Sequence, residues 1–261
     1  MKRICLLTAA GVLAALPAFA DVTITSQVTG KGLGKLAEAQ SVTYIKGLKM
    51  RSDSTMGDKP MSTIIDVEGQ KFISIDHNKK EAQVFEMAQF RENMDKAMKG
   101  GEVVGSLKPN GQTKTIAGQN CTGYDVAIEM PMAVGAEGSM KMVMAGPVFM
   151  AKGAPGSEDF KAFYLAAAEK GFIMSDPRAA KGAPQQTKGM TELYKSMAET
   201  GGIPYEMTMS MKIEGAGPMA GMMNKMMGNS AFGQTVTAVS TDAVSADRFE
   251  VPAGYKVKAA K

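Results

Sequence analysis

Tryptophan is absent from the 261 residues, histidine occurs once, cysteine twice, and aromatics make up 6% of the chain. Each scarcity narrows the chemistry available. A Ser-His-Asp or Cys-His mechanism would have to run through His77, which lies in the turn-forming run Asp76-His77-Asn78-Lys79, where an imidazole is ordinarily solvated. A zinc enzyme needs several His, Cys or carboxylate ligands in a tight set, and neither His-Glu-x-x-His nor paired cysteines are present. Gly30, Gly32 and Gly34 are followed by no Gly-Lys-Ser/Thr, so they do not form a phosphate loop. The composition therefore points to a non-enzymatic protein with no catalytic residues, no cofactor and no conventional metal site.

Long apolar runs are also missing beyond the N-terminus, which argues against an integral membrane span. The first twenty residues have the form of an export signal. Lys2 and Arg3 precede an apolar stretch from Ile4 to Leu16, and Ala18-Phe19-Ala20 fits a signal-peptidase site before Asp21. Nothing like a lipobox surrounds Cys5. The expectation is a cleaved signal peptide, residues 1–20, and a periplasmic domain, residues 21–261. Without Lys2 and Arg3 the 30 basic side chains fall by two against 26 acidic ones. The net charge of about +2, with no dense basic patch, excludes nucleic acid as a partner. Cys121 alone would survive processing, so no internal disulfide forms despite an oxidising compartment.

Methionine and glycine are plentiful, with 24 and 29 residues. Met is unbranched and polarizable and adapts to irregular apolar partners. Met219, Met222, Met223, Met226 and Met227 follow i, i+3, i+4, i+7, i+8, which places their sulfurs on one face of a short helix. Pro218 suits the first position of that helix and Gly228 the residue just past its end. Met207, Met209 and Met211 alternate along Tyr205 to Ile213, and Met140, Met142 and Met144 along an earlier stretch, as strand residues on one face would.

The remaining patterning is β-rich. Val22 to Val28 alternates cleanly, Val42 to Arg51 repeats the theme, and Met61 to Asp66 is joined to Lys71 to Asp76 by the glycine-bearing run Val67-Glu68-Gly69-Gln70. Glu81 to Met87 returns as another strand. Helices are expected at Ala88 to Lys99, at Glu158 to Lys170 with Phe160, Phe163, Tyr164 and Ala167 on one stripe, and at Lys188 to Thr200. Thr113 to Ile116, Cys121 to Met130, Gln234 to Val244 and Phe249 to Val257 read as strands. Consecutive strands with tight turns favour an antiparallel sheet, hence one α+β domain.

The run Tyr44-Ile45-Lys46-Gly47-Leu48-Lys49-Met50-Arg51, then Ile64-Ile65-Asp66, Lys71 to Asp76 and Lys79-Lys80, resembles the opening of an exported bacterial family of unknown function. Its later landmarks are Thr115-Ile116-Ala117-Gly118 before Cys121 and Tyr124, Gly202-Ile203-Pro204, and the closing Phe249-Glu250-Val251-Pro252-Ala253-Gly254-Tyr255. Relatives often place a tryptophan soon after the Cys-Tyr strand, where this chain has Met140, Met142 and Met144. The meander is also similar, more distantly, to the lipoprotein carrier LolA and its relatives. That resemblance implies a curved antiparallel sheet, a half-open β-barrel, with helices packed on the concave face and acyl chains held beneath them.

Two functional readings from different classes follow, beside a structural envelope protein with no ligand. In the first, the chain binds or carries a lipid, an acyl chain or a lipoprotein in a Met-lined cavity. Met207, Met209, Met211, Met219, Met222, Met223, Met226 and Met227 then contact the ligand, and the Met helix acts as a lid. In the second, the clustered thioethers hold Cu(I) or Ag(I), since soft metals take thioether ligands.

Overall fold

The computed structural model describes residues 21–31, 38–56, 59–88, 104–133, 139–172, 184–215, 218–227 and 230–260. The proposed signal segment and most of the helix expected at Ala88 to Lys99 lie outside them. The twelve strands of the described chain are β1 (Val22–Lys31), β2 (Glu38–Lys46), β3 (Lys49–Met56), β4 (Lys59–Asp66), β5 (Lys71–Asp76), β6 (Glu81–Glu86), β7 (Val104–Ile116), β8 (Gln119–Ala133), β9 (Ser139–Lys152), β10 (Gly202–Gly215), β11 (Ala231–Ser240) and β12 (Lys256–Ala259). Three α-helices accompany them: α1 (Ser157–Glu169), α2 (Pro184–Glu199) and α3 (Pro218–Met227).

All twelve strands belong to one curved, unclosed sheet, in the order β12-β6-β5-β4-β3-β2-β1-β11-β10-β9-β8-β7. Neighbours are antiparallel except β12, which runs parallel to β6 with Lys256 opposite Glu81. The hairpins follow from local chemistry. Ala117 and Gly118 both take positive φ, 46° and 77°, the geometry of a two-residue turn whose twist matches the flanking strands. Asp76 Oδ1 accepts the backbone N–H of Lys79 at 3.0 Å and so closes the turn that carries His77.

Period-two alternation sorts residues between the faces. Val22, Ile24 and Ser26 of β1, Thr43 and Ile45 of β2, Met50 and Ser52 of β3, and Thr63 and Ile65 of β4 share the concave side, opposite one another in register. Helices α1 and α2 cover this side. Phe160, Phe163, Tyr164 and Ala167 of α1 are buried, as are Leu193 and Met197 of α2. At roughly 1.5–3 kcal/mol for each large apolar side chain, these stripes hold the helices down against their ordering cost. Gly156 enters α1 at φ 79°, where a Cβ would fall 2.7 Å from Val22 Cγ2.

Beneath α2 and beside α1 the core is written in methionine. Met130, Met144, Met150, Met197, Met207 and Met209 pack with Tyr124, Val126, Ile128 and Val148. At Gly146 a Cβ would stand 1.8 Å from the carbonyl oxygen of Thr208, so only glycine allows β10 to come this close to β9.

The convex side of β3 to β6 is covered by the C-terminal segment. Val251 and Tyr255 pack on Ile64, Ile75 and Ala82. The strand expected from Phe249 to Val257 is replaced by a 3₁₀ turn at Ala246–Phe249 and by β12. Pro252 and Gly254, the latter at φ 81°, interrupt the extended run, and strand pairing resumes only at Lys256. The strap is tied at its start as well. Asp21 Oδ2 accepts the backbone N–H of Val244 at 2.6 Å and pairs with Lys46 Nζ at 2.7 Å. None of the helices among the described residues is long and apolar enough to cross a membrane.

Candidate functional site

Curvature leaves a cavity of about 190 Å³ between the concave sheet and helices α1 and α2. Its floor is a patch of hydroxyls from adjacent strands, Ser41 and Thr43 of β2, Ser52 of β3 and Thr63 of β4. Its walls are Ile24, Met50, Ile65, Phe72, Met207 and Pro204, with Gln234 on one side. The roof is Tyr164 of α1 and Tyr194 of α2, stacked with ring centroids 5.1 Å apart and an interplanar angle of 17°. None of these lining side chains carries a formal charge.

The polar groups here are weakly engaged. Ser52 Oγ meets Ser41 Oγ and accepts from Thr43 Oγ1, both at 3.3 Å, beyond the usual O–H···O range. Tyr164 O–H points to a thioether, Met50 Sδ, at 3.6 Å. Gln234 Nε2 donates to Ser26 Oγ at 3.0 Å. Burial pushes both roof phenols above their ordinary ionisation range, and for Tyr164 the neighbouring Tyr194 adds to the effect. They remain neutral hydroxyls at physiological pH.

A second cluster lies on the opposite face of the same strands. Arg51 Nε donates to Asp53 Oδ1 at 2.6 Å, Nη2 to Ser62 Oγ at 3.0 Å and Nη1 to the Arg248 carbonyl at 2.8 Å. Ser62 Oγ donates to Asp53 Oδ1 at 2.6 Å and lies 2.6 Å from His77 Nε2, while His77 Nδ1 lies 2.9 Å from the Tyr255 hydroxyl. Serine has one proton, and it goes to Asp53. The short contact to Nε2 therefore requires Nε2–H as donor, and in the neutral imidazole Nδ1 then accepts from Tyr255 O–H. The chain runs Tyr255 to His77 to Ser62 to Asp53, opposite to the polarity of a nucleophilic triad, in which the imidazole accepts the serine proton. Ser62 is 1% exposed and both its lone pairs are engaged, so the cluster fastens the C-terminal strap. His77, expected in solvent, is instead half-buried at the centre of this chain.

The methionines divide between two places. Met207 lines the cavity, Met209 is buried beside it, and Met211 is half-buried. The expected helix forms over Pro218–Met227 but packs on β10 and the far end of β9, through Ala220 and Met223 against Met140 and Ile213. From Met207 to Ile213 is about 20 Å along the strand. Met219 and Met222 are 47% and 54% exposed, so these two do not roof the hollow. The side chains of Met226 and Met227 lie outside the described residues. Asn224 sets the docking face: its Oδ1 accepts the Ile213 N–H and its Nδ2 donates to the Ile213 carbonyl, both at 2.7 Å. That amide satisfies the edge of β10 where β11 no longer pairs with it, and it turns Met219 and Met222 outward.

Cys121 is buried, and burial raises its thiol above the ordinary range. Among the described residues no group of three His, Cys, Asp or Glu converges as a metal site.

Sequence reasoning missed the hydroxyl floor. Its trace is the alternation of Ser41, Thr43 and Ile45, but only the pairing of β2 with β3, and of β3 with β4, gathers Ser41, Thr43, Ser52 and Thr63 under one roof.

In comparisons with known proteins, the chain matches no protein family and no curated protein. Among solved structures it is similar to an uncharacterized conserved protein from Thermus thermophilus. The identity is 6%, over 93% of this chain and 91% of that one, with a TM-score of 0.39.

Proposed function

We propose that this is an exported, non-enzymatic binding protein that takes the apolar part of a ligand between the concave sheet and helices α1 and α2. The observation that carries the proposal is the cavity itself, with Tyr164 and Tyr194 stacked over a floor contributed by three strands. In this reading the sheet is a half-open barrel of the lipoprotein-carrier kind. Its support is that β7 and β12 end the sheet without pairing to each other and that two helices occupy its hollow. The export reading rests on Lys2, Arg3, the apolar run and Ala18-Phe19-Ala20.

Size limits the ligand. An apolar cavity of about 150 Å³ holds benzene, whereas drug-sized ligands occupy roughly 300–1,000 Å³. At about 190 Å³ the cavity, with the helices as they stand, accepts one ring or a short chain. A full acyl chain requires α1 and α2 to separate, which unstacks Tyr164 from Tyr194.

The protein has no tryptophan, so its emission comes from six tyrosines, of which Tyr164 and Tyr194 form the roof of the cavity. Titration of residues 21–261 with benzene and with hexane should give a saturable, one-to-one change, and Ser52→Phe, which fills the cavity, should abolish it. No saturable change with either probe, or an unchanged response in Ser52→Phe, would refute the reading.

A further inference from the structure

We infer that the cavity selects an uncharged molecule with a hydrogen-bonding head, an alcohol, ester or amide, and rejects carboxylates, phosphates and amines of the same size. The inference rests on the proposed binding function and adds the chemical class of the ligand.

The lining is polar yet uncharged. Ser41, Thr43, Ser52 and Thr63 present four hydroxyls to one small space. The hydrogen bonds among Ser41, Thr43 and Ser52 are long, at 3.3 Å. Tyr164 spends its proton on a sulfur, one of the weakest acceptors available to a phenol. Hydroxyls so loosely held accept and donate readily to an incoming neutral group, because little is lost when a 3.3 Å contact is exchanged for a shorter one.

A charged head meets a different environment. The charged groups nearest in sequence, Arg51 and Asp53 on β3, alternate to the convex side, where they bond one another, Ser62 and the Arg248 carbonyl. Lys46 is tied to Asp21 at the end of β2. An ion in the cavity would therefore be desolvated without a counter-ion, which costs far more than burying a hydrogen-bonded neutral group. Ile24, Met50, Ile65, Phe72 and Met207 provide apolar surface for the remainder of the ligand.

The test is a matched series on residues 21–261 at neutral pH: hexane, 1-hexanol, hexanoate and hexylammonium, each titrated by tyrosine fluorescence and checked by calorimetry. Hexanol should bind tightest, with hexanoate and hexylammonium at least tenfold weaker. Thr43→Val together with Ser52→Ala should erase the advantage of hexanol over hexane while hexane still binds. Hexanoate or hexylammonium within tenfold of hexanol would overturn the inference and leave the binding function standing, as would hexane binding as tightly as hexanol. If hexane and hexanol both fail to bind, the binding function falls and this inference with it.

Discussion

The two faces of strands β2 to β4 use the same kinds of side chain to opposite ends. On the convex side Ser62 donates one hydrogen bond and accepts two, at 2.6–3.0 Å, within a cluster anchored by Arg51. On the concave side Ser52 makes two contacts at 3.3 Å and faces a cavity. A hydroxyl with every site engaged contributes to holding the fold, while one with spare capacity is available to a ligand. The difference comes from the neighbours. Arginine and aspartate alternate outward on β3, and the strap supplies Tyr255 and the Arg248 carbonyl, whereas the inward face meets uncharged groups, most of them aromatic, methionine or aliphatic.

Removing the anchor should break this contrast most severely. Arg51→Met removes three hydrogen bonds, to Asp53, Ser62 and the Arg248 carbonyl, so unfolding in urea should show a loss of about 3 kcal/mol, the upper end for hydrogen bonds to a charged group. The tyrosine response to hexane should persist under native conditions.

The paired serine substitutions test the contrast directly. Ser62→Ala should cost about 1–3 kcal/mol, because it strands the donors of Arg51 and His77. Ser52→Ala should stay within about 0.5 kcal/mol of the parent. Equal costs in denaturant titrations would show that the two faces do not differ as described.

At the end of the hydrogen-bonded chain, Tyr255→Phe removes the donor to His77 Nδ1 and should cost about 1 kcal/mol. Limited proteolysis should then cut the strap between residues 241 and 255 before it attacks the sheet.

The smallest effect belongs to the turn beneath His77. The backbone N–H of Lys79 holds the Asp76 carboxyl below its ordinary value of 3.8, with the Lys79 ammonium adding to this. A depressed folded value means the contribution is present above the ordinary range and is lost as pH falls through the folded value. Melting temperature followed from about pH 5 to pH 2 should fall slightly less steeply in Asp76→Asn than in the parent.

Much of the sheet was legible from local pattern. Val22 to Val28, Met61 to Asp66 and Lys71 to Asp76 alternate as strands should, and the stripe Phe160, Phe163, Tyr164 and Ala167 is the buried face of α1. The methionine spacing also located α3. It could not orient that helix, because periodicity shows which residues share a face and not which face docks. One residue outside the pattern, Asn224, settles the orientation through the backbone of Ile213. The strand expected across Pro252 and Gly254 failed because two backbone-restricting residues outweighed the apolar content of Phe249 to Val257.

What the sequence determined by itself is therefore what depends on neighbours a few residues apart: alternation, turn chemistry and helix stripes, each set by backbone geometry. The tertiary structure alone decided which hydroxyls would be engaged and which left available. His77 meets Tyr255 across 178 residues, Arg51 meets Arg248 across 197, and Tyr164 is stacked on Tyr194 above strands β2 to β4. Such encounters depend on strand order and sheet curvature, which arise only when the whole chain is packed.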